Sequence, residues 1–320
     1  MKYHSMLSMT RYLLFSFPRS FSNLFISGVL ACYGAFGLNA ADLPAEKPLW
    51  KGKPGGAVIQ FDKESIRHNK VSVLAPSGSN RVFSQVSEPS YSIHQAPEAI
   101  ATGVGMVICP GGGYRDVWLD REGHDLAIWL QKQGITSLVL KYRTNYPVKE
   151  SKPKYPWAEY LLAATADARR GIQILRDEAA SLNLDPQKIG IGGFSAGGHL
   201  ALSVALGLYA DSNSETNLFR PAFAGLFYPW LREDLMADGV VEKRDDLPPM
   251  FFMNALDDPL TPARRCIEFF TRIHAKGVVS ELHLFSKGSH GFDLGEGRGA
   301  SVPLWKNSFV AWLTDSGFIE

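Results

Sequence analysis

The sequence predicts an α/β fold in which helices cover both faces of a mainly parallel sheet. From Gly103 onward, short continuous apolar runs alternate with longer stretches whose apolar residues recur at helical spacing. Continuous apolar runs are typical of strands buried on both faces, and strand–helix alternation is typical of parallel sheets. The residues best suited to chemistry also follow predicted strands, which is where such sheets bind their ligands.

The clearest predicted strands are runs of mainly apolar residues bounded by turn residues. They cover Val104–Cys109, Thr136–Lys141, Lys188–Gly193, Ala222–Phe227, Met250–Asn254 and Ser280–Phe285. Apolar residues at helical spacing predict helices at Gly123–Gln133, about Pro156–Ala180, Gly198–Leu206 and Ala263–Lys276. Two earlier strands, whose partners the sequence does not indicate, are predicted at Val71–Ala75 and around Tyr91–Ile93.

The composition is that of an ordinary globular protein. Of the 320 residues, 45% are hydrophobic and 20% are charged, and the formal net charge is +1. Such a balanced charge gives no electrostatic reason to expect a nucleic-acid partner. The sequence has no phosphate-binding loop motif, and no dinucleotide fingerprint opens its first strand–helix unit. Of the three cysteines, only Cys109 and Cys266 remain if an N-terminal signal region that contains Cys32 is removed, and two are too few for a disulfide framework. We interpret both as buried hydrophobic residues.

The N-terminal region resembles a secretory signal peptide. Lys2, Arg11 and Arg19 precede the apolar run Leu24–Leu38, which is followed by the short segment Asn39–Ala41. We therefore predict a signal peptide over residues 1–41 and a secreted or periplasmic location. The apolar run has about fifteen residues, fewer than the roughly 18 to 20 that span a bilayer, so no stable membrane insertion of the mature protein is expected.

The sequence leaves the processing of this region open. Val29–Cys32 weakly resembles a bacterial lipoprotein box, but the apolar residues beyond Cys32 argue against cleavage there, and the true start could be Met6 or Met9. Residues 42–60 are rich in Pro, Gly and Lys, which predicts a linker or an N-terminal arm. The main domain is then predicted over residues 61–320.

The segment Gly193–Gly197 is a Gly-x-Ser-x-Gly motif centred on Ser195. Because a predicted strand precedes it and a predicted helix follows it, the motif fits a sharp strand-to-helix turn that exposes the serine hydroxyl as a nucleophile. A glycine-rich turn with an incidental serine is the plain alternative, since so short a pattern arises easily by chance. The flanking strand and helix favour the nucleophile.

A serine nucleophile needs a base to remove its proton and an acid to orient that base. His290 lies in a loop immediately after the last predicted strand, with glycines nearby that let the imidazole project into a cleft. His199 and His283 lie within a predicted helix and a predicted strand, so we interpret them as packing or hydrogen-bonding residues. His290 is therefore the predicted base.

The predicted acid lies in the loop after the penultimate strand, where Asp257 and Asp258 are adjacent. The chain order serine, aspartate, histidine is the one expected for a nucleophile on a strand-to-helix turn of this kind. Either aspartate could be the acid, and the other could cap the next helix or fix the loop.

An oxyanion that forms during acyl transfer needs preorganised hydrogen-bond donors. The segment Pro110–Tyr114 follows a predicted central strand, and its glycines allow a substrate to approach the backbone closely. We predict the N–H groups of Gly112 or Gly113, together with that of Ala196, as the donors. A purely structural glycine turn is the alternative, and the position upstream of the serine, aspartate and histidine favours the donor interpretation.

Together, several motifs resemble the α/β-hydrolase superfamily. The match is closest to the bacterial secreted acetylxylan-esterase-like branch, which is related to lipases of the hormone-sensitive type, and it covers roughly residues 65–318. The motifs are Cys109–Tyr114, Ala127–Leu130, Gly134–Ile135, Leu140–Arg143, Asp167–Arg170, Gly193–Ala201 and Gly288–Phe292. The resemblance implies an α/β-hydrolase fold, with a mainly parallel eight-stranded sheet and a single catalytic domain.

The resemblance favours Asp258 as the acid because the Asp-Pro-Leu step that begins there is similar to the pattern in many esterases of this fold. The sequence departs from the family pattern at three positions. Pro110 stands where many relatives have His, which leaves the backbone donors intact, whereas Asn254 and Thr261 differ from the residues usual beside the acid loop. The insertion-like segment Asn145–Pro156 could line or cover the cleft.

The resemblance implies a serine esterase that forms an acyl-enzyme and removes acetyl groups from carbohydrate such as xylan oligosaccharides. Its expected partner is a small-molecule or oligosaccharide ester substrate, and no metal or organic cofactor is implied. The alternatives are a general carboxylesterase or lipase of short acyl esters, a serine peptidase of the prolyl-oligopeptidase type, and a catalytically silent binding module. The sequence does not indicate the oligomeric state.

Overall fold

Strands and helices alternate along most of the computed structural model, which describes residues 43–210 and 219–320. Within these ranges the strands are β1 (Lys47–Pro48), β2 (Ser65–His68), β3 (Arg81–Ser84), β4 (Ser90–His94), β5 (Gly105–Cys109), β6 (Asp116–Val117), β7 (Thr136–Lys141), β8 (Ile189–Phe194), β9 (Ala224–Phe227), β10 (Met250–Ala255) and β11 (Ser280–Phe285). The helices are α1 (Asp125–Gln131), α2 (Trp157–Asp177), α3 (Ala196–Ala205), α4 (Glu233–Met236), α5 (Ala263–Ala275) and α6 (Trp305–Asp315).

One sheet contains eight strands in the order β1-β4-β7-β5-β8-β9-β10-β11. Six neighbouring strands, in the order β7-β5-β8-β9-β10-β11, pair in parallel. At the other end of the sheet, β4 pairs antiparallel with β7, and β1 pairs antiparallel with β4. The prediction of a mainly parallel eight-stranded sheet is therefore confirmed. A separate antiparallel sheet has the order β2-β3-β6.

The strands that the continuous apolar runs predict all form, and the segment around Tyr91–Ile93 is β4. The predicted strand at Val71–Ala75 is wrong, because Val73 is 99% exposed and the segment lies in the connection between β2 and β3. These two strands pair with each other through Ser65–His68 and Arg81–Ser84. The apolar run between them forms a connection with turns and not a further strand of this sheet.

The predicted linker or N-terminal arm packs on the main sheet through its described residues. Its strand β1 pairs with β4, and the Leu49 side chain is buried. Trp50 Nε1 donates to Asp167 Oδ1 at 2.9 Å. Arg143, which pairs with Asp167 at 2.8 Å, also donates to the carbonyl oxygens of Gly55 and Ala57. The buried Arg143–Asp167 pair therefore fastens the arm to the domain.

The predicted signal peptide, residues 1–41, lies outside the described residues. In the ranges that are described, no helix is both long and apolar enough to cross a membrane.

Candidate active site

Ser195 lies at a strained turn between β8 and α3, with φ +50° and ψ −114°. Few residues other than glycine adopt a positive φ, and such strain is concentrated at functional sites. The turn also packs tightly against the end of β5, because a Cβ on Gly197 would lie 1.9 Å from the carbonyl oxygen of Cys109. The structure thus forms the strand-to-helix turn that the motif predicts.

His290 and Asp258 complete a hydrogen-bonded chain with Ser195. The Ser195 Oγ lies 3.0 Å from His290 Nε2, and His290 Nδ1 lies 2.8 Å from Asp258 Oδ2. These residues follow β8, β10 and β11, whose carboxyl ends meet at one edge of the parallel sheet. The arrangement has the geometry of a serine nucleophile, its base and an orienting acid.

The structure distinguishes the two adjacent aspartates. The Asp258 carboxylate is buried, whereas Asp257 is exposed and accepts the backbone N–H of Ser289 at 2.7 Å. Burial alone would raise the pKa of Asp258, but hydrogen bonds from His290 and Thr261 outweigh burial and lower that pKa. An ionised Asp258 is suited to hold the imidazole, and Asp257 instead braces the loop that carries His290.

Both residues that depart from the family pattern beside the acid loop stabilise that loop. Thr261 donates its hydroxyl to Asp258 Oδ2 at 2.7 Å and its backbone N–H to Asp258 Oδ1 at 2.9 Å. Asn254 Nδ2 donates to the carbonyl oxygen of Thr261 at 2.9 Å. The departures therefore support the position of Asp258.

The predicted donors for an oxyanion lie beside Ser195. Gly112 and Gly113 have φ values of +134° and +64°, and both line the same cavity as Ser195. Ala196 is the first residue of α3, where a backbone N–H has no partner within the helix. The N–H of Gly111 donates to Glu122 Oε2 at 2.6 Å, so it is already engaged.

A cavity of about 580 Å³ opens over Ser195 and His290. The residues that sequence reasoning missed include Trp118, Trp230 and Glu122, which line this cavity. Trp230 comes soon after the end of β9, so its place at the carboxyl edge of the sheet was a usable signal. The segment Asn145–Pro156 was expected to line or cover the cleft, and none of its residues lines this cavity.

His199 and His283 have hydrogen-bond partners within the fold, and Cys109 and Cys266 are buried. His199 is buried, with Nδ1 2.6 Å from the Tyr114 hydroxyl and Nε2 3.2 Å from Asp234 Oδ2. His283 Nε2 lies 2.9 Å from Glu281 Oε2. Burial raises the pKa of the thiols of both Cys109 and Cys266. These thiols are poor nucleophiles, in line with their interpretation as hydrophobic residues.

Comparisons with known proteins give the same fold, and the similar proteins are enzymes. Residues 155–245 match the family model of the α/β-hydrolase fold. An acetylxylan esterase from Xylanibacter ruminicola is 30% identical in an alignment over 220 residues. The alignment covers 61% of this chain and 42% of the relative. The endo-1,4-β-xylanase B of Butyrivibrio fibrisolvens is 27% identical over 211 residues, 58% of this chain and 32% of the relative. The chain thus spans less than half the length of these curated relatives.

Solved structures are similar over most of the chain. An acetyl ester-xyloside bifunctional hydrolase from Caldicellulosiruptor lactoaceticus has a TM-score of 0.62 at 24% identity, covering 87% of this chain and 98% of that one. The native esterase 2 of Thermogutta terrifontis has a TM-score of 0.58 at 25% identity, covering 72% and 89%. The chain therefore has the α/β-hydrolase fold and is similar to an acetylxylan esterase and to hydrolases of known structure.

Proposed function

We propose that the protein is a serine esterase that removes acetyl groups from carbohydrate such as xylan oligosaccharides. The observation that carries this proposal is the chain of hydrogen bonds from Ser195 through His290 to Asp258. It lies beside two glycines whose N–H groups can meet an oxyanion. The similarity to an acetylxylan esterase supports acetyl as the acyl group and xylan as the source of the alcohol.

In this proposal His290 Nε2 takes the proton of Ser195 while Oγ attacks the acyl carbon. The resulting oxyanion is stabilised by the N–H groups of Gly112 or Gly113 and of Ala196. When the tetrahedral intermediate collapses, the bond to the sugar oxygen breaks and that oxygen receives the proton from His290. Water then repeats the sequence on the acyl-enzyme, which releases acetate and restores the serine. Asp258 stabilises the imidazolium in both halves.

The lining of the cavity supports a carbohydrate as the alcohol. Trp118 and Trp230 are half-buried and line the cavity on Ser195 and His290. Binding sites are commonly formed by aromatic side chains and a small number of polar groups. An aromatic face packs against the C–H face of a sugar ring, and Arg298, which also lines this cavity, can donate to sugar hydroxyls.

A panel of esters tests the substrate. We expect the protein to release acetate from acetylated xylo-oligosaccharides faster than ferulate from feruloylated ones, and also to hydrolyse p-nitrophenyl acetate. The Trp118→Ala variant should raise KM for the oligosaccharide by about tenfold, because it loses ring contact, and leave KM for p-nitrophenyl acetate within about threefold. Failure on every carbohydrate ester with rapid hydrolysis of p-nitrophenyl esters would instead indicate a general carboxylesterase.

We also propose that the protein acts outside the cytoplasm, because residues 1–41 have the charge and apolar pattern of a signal peptide. Expression in a bacterial host with a secretory pathway, followed by N-terminal sequencing of the mature protein, tests this. Cleavage near Ala41 is expected. Recovery of the uncleaved chain from the cytoplasm would contradict the proposal.

A further inference from the structure

Glu122 is a buried carboxyl group that the proposed reaction does not use. It lies in a π-helical turn over Asp120–His124, just before α1, and it is only 6% exposed. Its Oε2 accepts the Gly111 N–H at 2.6 Å, and its Oε1 accepts the Tyr228 hydroxyl at 2.7 Å. One carboxyl group therefore joins the glycine loop of the active site to the residue that follows β9.

Tyr228 extends this connection to the loop that carries His290. The hydroxyl oxygen of Tyr228 accepts the Asp293 N–H at 3.2 Å, and its ring meets the His290 ring edge-on with centroids 5.2 Å apart. The Tyr228 backbone is itself held by its N–H, which donates to the Met253 carbonyl oxygen at 2.7 Å. Glu122 thus lies between the two loops whose relative position decides whether nucleophile, base and oxyanion donors align.

The contact at Gly111 is close to the nucleophile. A Cβ on Gly111 would lie 2.6 Å from Glu122 Oε2 and 3.0 Å from the Ser195 Cβ, so only glycine admits the carboxyl group here. The Gly111 carbonyl oxygen accepts the Trp118 N–H at 3.1 Å, so this peptide is fixed on both sides. Because Gly112 and Gly113 follow directly, the orientation of their N–H groups depends on how Gly111 is held.

Glu122 can accept the Gly111 N–H whether its carboxyl group is ionised or protonated. Burial, and then the nearby Asp293 carboxylate, raise the pKa of Glu122 to about 7, while the donors Tyr228 and Gly111 and the nearby His290 oppose this rise. An ionised Glu122 accepts from both donors. A protonated Glu122 still accepts from Gly111 and donates to Tyr228, whose hydroxyl can turn to Asp293 Oδ1 at 3.4 Å. The acceptor at Gly111 is therefore present on both sides of neutral pH.

We propose that Glu122 is a positioning residue that fixes the oxyanion loop relative to the histidine loop. It acts through the Gly111 N–H on one side and through Tyr228 on the other, and these two donors engage both of its carboxyl oxygens. This inference rests on the proposed serine chemistry at Ser195 and is independent of which sugar carries the ester.

Paired substitutions of similar size test the inference. Glu122→Leu removes both acceptors, and we expect kcat for p-nitrophenyl acetate to fall about 30- to 100-fold with KM within about threefold, because misplaced donors weaken the transition state more than the ground state. Glu122→Gln keeps an acceptor for Gly111 and imitates the protonated acid, so kcat should stay within about fivefold of the original.

Asp125→Asn is the matched control. Asp125 is also buried, lies on the same segment and accepts the Ser77 N–H at 2.7 Å, but it does not line the cavity on Ser195. We expect its thermal midpoint to fall while kcat remains within twofold. If Glu122→Leu keeps its kcat, if Glu122→Gln is as slow as Glu122→Leu, or if Asp125→Asn loses kcat equally, the inference is wrong.

A second measurement separates this inference from the proposed substrate. The rate at which a fluorophosphonate labels Ser195 also depends on the oxyanion donors, and it should fall in Glu122→Leu but not in Glu122→Gln. If the original protein is labelled but releases no acetate from xylo-oligosaccharides, only the substrate proposal fails. If labelling of Glu122→Leu is as fast as that of the original, the positioning role fails. If the original protein is not labelled, the serine chemistry and the role of Glu122 fail together.

Discussion

Asp258 and Asp257 show how much the role of a residue depends on its surroundings. Asp258 is buried and receives hydrogen bonds from His290, from the Thr261 hydroxyl and from two backbone N–H groups, which keep it ionised. Its exposed neighbour Asp257 accepts only the Ser289 N–H among the hydrogen bonds of the described residues. These contacts support the proposed role of Asp258, and not of Asp257, in holding the imidazolium.

Substitution of the two aspartates should therefore have unequal effects. We expect Asp258→Asn to lower kcat for p-nitrophenyl acetate by about a thousandfold or more, because the asparagine no longer stabilises the imidazolium or selects its tautomer. Asp257→Asn should lower kcat by less than about tenfold, since its carbonyl oxygen can still accept the Ser289 N–H. Equal losses in the two variants would show that the acid has been assigned wrongly.

The sequence predicts Ser195, His290 and one of the adjacent Asp257 and Asp258 as candidate catalytic residues, because each follows a recognisable strand and belongs to a short motif. Glu122 could not be found in this way. Its role depends on two donors, Gly111 and Tyr228, of which the second is more than a hundred positions away, and on burial that no local pattern shows. Trp118 was missed because no local pattern in the sequence places it at the cavity.

At the scale of the elements, the parallel strands were predictable because burial on both faces makes them continuously apolar. The short strands β1, β2, β3 and β6 were not, because pairs or quartets of residues carry no clear period. The apolar run Val71–Ala75 was assigned wrongly since its neighbours β2 and β3 pair with each other. Pairing is a property of the tertiary fold, so local propensity alone does not decide it.

The turn between β8 and α3 allows a test of close packing. Gly197→Ala would place its Cβ 1.9 Å from the backbone carbonyl oxygen of Cys109, which cannot move without distorting β5. We expect an unfolding free energy lower by about 3 kcal/mol or more, together with loss of activity. Chemical denaturation provides the measurement.

Gly277→Ala is the control for that substitution. Gly277 lies two residues after the end of α5 and has φ +72°. A Cβ there would have no heavy atom within 4 Å. Only the backbone strain remains, so the loss should be about 1 kcal/mol with full activity. If the two alanine variants prove equally stable, the close contact at Gly197 does not lower the unfolding free energy.

At the scale of the whole molecule, a buried histidine pair links stability to pH. His94 Nε2 lies 2.8 Å from His124 Nδ1. Burial lowers the pKa of His94 to about 3 and that of His124 to about 4, well below the 6.5 of a free imidazole. Below pH 6.5 the unfolded chain binds protons that the folded protein does not, so this pair makes stability fall as the pH drops toward 4.

The raised pKa values of Glu122 and Asp125 act in the opposite direction over the same range, so the pair must be tested by difference. Between pH 7 and pH 5, the thermal midpoint of His94→Gln/His124→Asn should decline less, relative to its own value at pH 7, than that of the original protein. If the thermal midpoints of the two proteins decline equally between pH 7 and pH 5, the histidines are not protected from protonation.

The proposed role of Ser195 is that of the nucleophile of an ester hydrolase. Its most direct test is the turnover of p-nitrophenyl acetate by the original protein and by Ser195→Ala, with circular dichroism and the thermal midpoint used to show that the variant is folded. We predict turnover by the original protein and, in the folded variant, loss of at least about a thousandfold in kcat. A folded Ser195→Ala protein that keeps its activity would contradict this role.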